Sequence, residues 1–182
     1  ELAAITLTFP VQGLTIGFFS GLSAATGILI GNELGSNDFD KGYVLAWKFI
    51  KICVVGCTAI GILIFAFAPI YIRFYNVEDQ VQEYAKHLLW IFAFYLWIKV
   101  CNMIIGSGIL RSGGKTKFTL FLDVLGTYGI GLPLGLLGAL VFKFEITKVY
   151  ALLSVEEIAR LVIGTARVKS RKWIDNITQK NN

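Results

Sequence analysis

The sequence has few charged residues, few cysteines and a single histidine. Charged residues make up 16% of the 182 residues, whereas a globular protein averages about 25%. The three cysteines are too few for a disulfide framework or a four-ligand zinc site. His87 is the only histidine and lies at the outer mouth of the third predicted span, where we expect neither a Ser-His pair nor a histidine-based metal centre. These absences argue against an enzyme, and the sequence predicts neither a cofactor nor a metal site.

Long apolar stretches dominate the chain instead. Hydrophobic residues make up 55% of it, and the mean hydropathy is +0.68. The stretches 2–32, 52–72 and 124–142 contain no charged residue, and about 20 apolar residues suffice to cross a bilayer. Two further stretches are long enough if they tolerate internal charges. The sequence therefore predicts an all-α integral membrane protein with five transmembrane helices. The predicted spans are 2–32, 49–72, 88–110, 118–142 and 147–167, followed by a cytoplasmic tail at 168–182.

The stretch "GSGILRSGGKTKF", 106–118, superficially resembles a phosphate-binding P-loop. That motif needs a glycine five positions before its Gly-Lys-Thr, and Ile109 occupies the position. The motif also follows a β-strand, whereas here an apolar run of helical length precedes it. The sequence therefore argues against nucleotide binding, and the flanking helices must explain the loop.

Positive charge is distributed unequally between the two sides of the predicted bundle. With five spans, eleven Lys and Arg residues fall on one side and four on the other. The first set is Lys41, Lys48, Lys51, Arg111, Lys115, Lys117, Arg167, Lys169, Arg171, Lys172 and Lys180; the second is Arg73, Lys86, Lys143 and Lys148. Because short cytoplasmic loops are enriched in these residues, the C-terminus is predicted to be cytoplasmic and the N-terminus outside. The net charge of +5 favours contact with anionic lipid headgroups and not with nucleic acid.

Three segments carry a resemblance to a known family. "GLSAATGILIGNELGSNDFDKG" resembles a helix end and cytoplasmic loop of multidrug and toxic compound extrusion (MATE) transporters, with their Val/Ile-Gly-x-x-Leu-Gly pattern. "ILRSGGKTKFTLFLDVLGTYGIGLPLGLLG" is similar to the family's Leu-Arg-x-x-Gly-Asp-Thr loop and following helix. "VYALLSVEEIARLVIGTARVKSRKWIDNIT" resembles the last helix and tail of a bacterial branch. The three segments occur in the family's order, and from the first to the last they extend over most of the chain, from Gly21 to Thr178.

The resemblance implies a fold of twelve helices in two lobes of six. This chain would supply helices eight to twelve, which is most of the C-terminal lobe, and the missing N-terminal lobe would be its partner. The chain opens with "ELAAITLTFP" and has no initiator methionine, which also predicts a piece of a longer protein. The fragment alone is not expected to transport.

The resemblance also implies a function for the whole protein in the cell membrane. It would be a secondary antiporter that exports cationic or amphipathic drugs or metabolites in exchange for protons or sodium. The alternative is a lipid-linked oligosaccharide flippase of the same superfamily, which would be expected to have a more basic cavity.

Two positions depart from the family pattern. Lys115 stands where the family loop usually has Asp, at a cytoplasmic connection. Sodium-coupled members carry an Asp in the tenth helix, about eleven residues before the loop arginine; Lys99 and Val100 occupy that region here. A sodium site built on that Asp is therefore not expected.

Five charged residues inside the weaker spans are the candidate coupling site: Lys99, Asp123, Glu156, Glu157 and Arg160. Lys99 lies about 16 Å from either end of its span at 1.5 Å per residue. A lysine at that depth costs about 2.5–3.5 kcal/mol, so we expect it to face a carboxylate. In the family these helices surround a common cavity, which predicts one coupled cluster. A fixed ion-pair network that only holds the lobe together is the alternative.

Three further features have predicted roles. Pro133 in "GIGLPLGLLG" removes a helical hydrogen bond and predicts a kink or hinge. Glycines at every fourth position of the first span predict close helix packing, in one row from Gly13 to Gly21 and a second from Gly27 to Gly35. Trp173, set among basic residues after the last span, is predicted to lie in the inner membrane interface.

Overall fold

The computed structural model describes residues 2–75, 77–142 and 144–174. Within these ranges the chain forms five long helices and no strand, which confirms the predicted all-α fold. The helices are α1 (Leu2–Gly35), α2 (Phe39–Arg73), α3 (Asp79–Leu110), α4 (Thr116–Val141) and α5 (Ile146–Lys169).

The first four helices are long and apolar enough to cross a membrane. The charges of α5, among them Glu156, Glu157 and Arg160, leave it outside that group. Two helices also extend well beyond their predicted spans, since α2 begins at Phe39 and α3 at Asp79. Hydropathy marks only the apolar part of a helix, whereas capping sets its start: Asp38 accepts a hydrogen bond from the backbone N–H of Lys41 at 3.2 Å.

Helix α3 occupies the centre of the bundle. It contributes a continuous set of buried apolar side chains to the core, from Ala85 to Leu110. More than half of its most apolar stretch is buried, compared with less than a third for α1, α2 and α4. The central position of α3 is what brings Lys99 into the interior of the bundle.

The two glycine rows of α1 behave differently from each other. A Cβ at Gly13, Gly17 or Gly21 would meet no atom within 4 Å, so among the described residues the first row packs against nothing. In the second row, Gly27 approaches the backbone of α3 closely, since its Cβ position lies 3.4 Å from the carbonyl oxygen of Gly108. The packing prediction is therefore correct at this crossing and wrong for the first row within the described chain.

Helix α4 departs from α geometry on both sides of Pro133. The segments Leu125–Gly131 and Leu137–Val141 are π-helical, and Leu132–Leu136 between them is α-helical. Proline lacks the backbone N–H that an α-helix requires, and π turns accommodate such a defect without breaking the helix. The helix thus widens locally and stays continuous, while a hinge at Pro133 remains a prediction.

The glycines of "RSGGKT" have structural explanations. Gly114 adopts a φ of 76°, and the N–H of Lys115 reaches back to the carbonyl of Leu110 at 3.1 Å. This is the pattern with which a glycine ends a helix. A Cβ at Gly113 would collide with the backbone and ring of Trp173. The loop is therefore built to end α3 and to seat a tryptophan.

Trp173 is fully buried in the protein, so its indole contacts protein and not lipid, while the position of this stretch at the inner membrane interface stays a prediction. Its indole N–H donates to the carbonyl of Val168 at 3.1 Å, and its neighbour Arg171 pairs with Asp40 at 2.8 Å. The sequence shows that Trp173 stands among cations, but it does not show that Gly113 leaves the space in which the indole packs. Residues 175–182 of the predicted tail, with Lys180, and Lys143 of the charge count lie outside the described residues.

Replacing Trp173 by alanine is expected to destabilise the protein by about 3–5 kcal/mol, the usual effect of removing a large buried aromatic side chain. The measurement is the chemical denaturation midpoint of the purified full-length protein in detergent. Lys172→Ala, at an exposed neighbouring position, is the control and is expected to leave the midpoint unchanged. Equal midpoints for the two variants would contradict the buried position of the indole.

The predicted orientation can be tested at the two ends of α2. A cysteine at exposed Ser36 is expected to react with an impermeant thiol reagent only from the cytoplasm, and one at Phe74, 84% exposed, only from outside. The three native cysteines are buried and give little background. Reversed labelling in oriented membranes would contradict the orientation.

Candidate functional site

Helices α3 and α5 face each other through a pair of opposite charges. The Nζ of Lys99 lies 3.8 Å from the Oε1 of Glu157. Asn102, one turn along α3, donates from Nδ2 to the Oε2 of Glu157 at 2.8 Å and to its backbone carbonyl at 2.7 Å. The carboxylate therefore has a fixed neutral partner on one oxygen and a charged partner on the other.

The two partners of Glu157 differ in how firmly they hold it. Hydrogen bonds between ammonium and carboxylate groups are about 2.7–2.9 Å long, so 3.8 Å is an ionic contact without a hydrogen bond. The Lys99 side chain is 36% exposed and that of Glu157 is 18% exposed. The Lys99–Glu157 ion pair is therefore open on one side and has no hydrogen bond, unlike the contact between Asn102 and Glu157.

Arg160 forms a second, tighter network with α4 and with its own helix. Its guanidinium pairs with Glu156 one turn earlier on α5 and with the Oδ1 of Asp123 at 3.2 Å. It also donates to the hydroxyl of Thr127 at 2.6 Å and to the carbonyl of Asp123 at 3.2 Å. Arg160 and Glu156 are 18% and 15% exposed, so this pair is largely enclosed between the helices.

The predicted cluster is thus divided into two ion pairs with different surroundings. Lys99, Asp123, Glu157 and Arg160 line a common cavity of about 200 Å³ between α1, α3, α4 and α5. Glu156, adjacent to Glu157 in sequence, is not among the lining residues because it points to Arg160 and α4. Pro133 does not line the cavity either.

The size and charge of the cavity limit what it can hold. The cavity has a volume of about 200 Å³. Sites for drug-sized ligands occupy about 300–1,000 Å³. Its charged lining is balanced, with Lys99 and Arg160 opposite Asp123 and Glu157. Within this chain the cavity fits a small cation or one end of a larger molecule.

Several polar residues of this region were not predicted from the sequence. Asn102 was overlooked, although it lies on the same face of α3 as Lys99. A second hydrogen-bonded chain was also missed: the Tyr95 hydroxyl donates to that of Tyr150 at 2.7 Å, and Tyr150 donates to Gln12 at 3.2 Å. Helical spacing was the available signal, since Tyr95 precedes Lys99 by one turn and Tyr150 precedes Glu157 by two.

Long apolar helices around a small charged cavity define a polytopic membrane protein whose interior polar groups face one another. The chain belongs to the MatE family, whose model matches residues 1–137.

Individual relatives and solved structures agree with this assignment. The uncharacterized transporter YisQ of Bacillus subtilis (strain 168) is 26% identical over 174 residues, 94% of this chain and 38% of that protein. The multidrug resistance protein MdtK of Edwardsiella ictaluri (strain 93-146) is 34% identical over 121 residues, 65% of this chain and 26% of that protein. A crystal structure of a MATE protein in complex with MaL6 superimposes with a TM-score of 0.87 at 20% identity, covering 100% of this chain and 40% of that one.

The chain therefore spans less than two fifths of the length of these curated relatives. The family and the fold are established for this chain, together with its character as a multi-pass membrane protein.

Proposed function

We propose that the full-length protein is a secondary antiporter that exports cationic or amphipathic drugs or metabolites in exchange for protons or sodium. The observation that carries the proposal is the Glu157 carboxylate, which lines a cavity between the helices and has a cationic partner that is not hydrogen-bonded to it. Ionisable groups at such depth commonly mark substrate or ion pathways. The names of the curated relatives, which include multidrug resistance proteins, agree with this proposal.

The exchange follows from competition for one carboxylate. Asn102 holds one oxygen of Glu157, while Lys99, an incoming cation or a proton can occupy the other. When a substrate cation takes that position, a bound proton must leave, and the reverse also holds. Binding is then mutually exclusive, as antiport requires.

The rest of the full-length protein would complete the substrate site. A cavity of about 200 Å³ is smaller than the roughly 300 Å³ needed for a drug-sized ligand. In this proposal the present chain is most of the C-terminal lobe and supplies the coupling carboxylate, and the N-terminal lobe supplies the remaining wall. The apolar exposed face of α1, which includes Leu14 and Phe18, is the surface that would meet it.

The flippase alternative is not favoured. A carrier of a pyrophosphate-linked lipid would need an excess of cations in its cavity, whereas here Lys99 and Arg160 are balanced by Asp123 and Glu157. Movement of a lipid-linked oligosaccharide analogue by the purified protein would reverse this preference.

The test of function uses the full-length protein in liposomes. A fluorescent lipophilic cation is placed inside, and either a proton gradient or a sodium gradient is imposed. We expect efflux of the cation with one of the two gradients and none without a gradient. Efflux that is independent of both gradients, or no efflux of any of a panel of organic cations, would contradict the proposal.

A further inference from the structure

Two glycines of α4 make room for the Arg160–Glu156 ion pair. A Cβ at Gly126 would overlap the Nε of Arg160, and a Cβ at Gly131 would overlap the Oε2 of Glu156. Both glycines are buried. The two side chains of the ion pair therefore lie against bare backbone, in a recess of α4 that no other residue type leaves open.

The π-helical segment Leu125–Gly131 is what aligns this recess. At about 100° per residue, two α-helical residues five positions apart point about 140° away from each other. A π turn bonds residue i to i+5 and brings such residues towards one face; the Cβ position at Gly131 lies 3.5 Å from the carbonyl oxygen of Gly126. On α5, Glu156 and Arg160 are four residues apart and share a face.

The two adjacent glutamates have different neighbours, and only Glu157 borders the cavity. With Glu156 and Arg160 drawn into α4, the guanidinium is directed to Asp123, Thr127 and Glu156. The carboxylate of Glu157 is left to Lys99 and Asn102. Arg160, Asp123 and Glu157 all border the cavity, so a guanidinium displaced from the recess into that space meets the carboxylate of Glu157 as well as that of Asp123.

We propose that Gly126 and Gly131 are positioning residues that hold Arg160 against Glu156 and so keep Glu157 free to bind the transported cation or its counter-ion. The functional part of this inference rests on the antiporter function proposed above. Filling the recess is expected to push Arg160 towards Glu157 and to make it a built-in competitor of the substrate.

The experiment compares three variants of the full-length protein in liposomes. Gly131→Ala is expected to raise the apparent KM for cation efflux. The new methyl group displaces the Glu156 carboxylate, and Arg160 then moves towards Glu157 and competes with the substrate cation. Combining it with Glu156→Asp withdraws the carboxylate by one methylene and is expected to restore the KM towards wild type. Gly129→Ala is the matched control, since it makes the same change at an exposed position of the same π-helical segment.

Thermal denaturation of the same purified variants separates this inference from the proposed function. Gly131→Ala is expected to lower the denaturation midpoint, and the added Glu156→Asp is expected to recover it, as for two residues in direct contact. That result supports the recess even if the wild-type protein moves no cation, which would refute only the antiporter proposal. A Gly131→Ala protein with the wild-type KM and midpoint, or a double variant no better than the single one, would overturn the inference.

Discussion

Replacing Glu157 by glutamine in the full-length protein is expected to abolish gradient-driven efflux while leaving the amount of folded protein unchanged. Glutamine retains an amide oxygen that can accept the hydrogen bond from Asn102. It removes only the negative charge, for which a proton and a substrate cation compete. Lys99 loses its counter-charge but is 36% exposed to the cavity, so water can solvate it.

The measurement is the efflux rate in liposomes, normalised to folded protein determined by size-exclusion chromatography. Glu83→Gln provides the matched control, because Glu83 is exposed near the start of α3 and lies away from the cavity. Wild-type efflux by the Glu157→Gln protein would refute the role of this carboxylate. If the Glu157→Gln protein failed to fold, Glu157 would instead belong to a fixed ion-pair network that only holds the lobe together.

The fold could be predicted from the sequence because a bilayer imposes a simple rule. A stretch of about 20 apolar residues must form a helix to satisfy its backbone polar groups. The rule fails for details that depend on other forces. It placed the start of the second span at residue 49, ten residues after α2 begins at Phe39, since Asp38 caps the helix in water.

The five charged candidates could be predicted because charge inside a membrane span is rare and conspicuous. Their pairing could not be predicted, since Glu156 and Glu157 are adjacent and look alike in sequence. Their separation depends on the direction of each side chain from α5, which is fixed by Asn102 on one side and by the recess at Gly131 on the other. Neither an uncharged amide nor a glycine in a π turn carries a signal that hydropathy or charge can detect.

Replacing Arg160 by methionine is expected to cause a larger loss of folded protein than replacing Lys99 by methionine. Arg160 is the described cationic partner of Glu156, which is 15% exposed and sits against α4. Removing one member of an enclosed ion pair costs about 3–5 kcal/mol, because the remaining charge is left without compensation. Methionine has a similar length and apolar volume, so lost packing contributes little to the expected effect.

The charge argument is tested by adding Glu156→Gln to the Arg160→Met protein. Removing both charges eliminates the uncompensated carboxylate, so the double variant is expected to recover folded protein that the single variant loses. Asp123 does not prevent this recovery, because its side chain is 58% exposed and can be hydrated without Arg160. Lys99→Met is the comparison: its partner Glu157 keeps the hydrogen bond from Asn102, so this loss of a cation is expected to have a smaller effect on folding. If Arg160→Met and Lys99→Met reduced folded protein equally, or if Glu156→Gln gave no recovery, the two ion pairs would not differ in the way their burial and hydrogen bonds require.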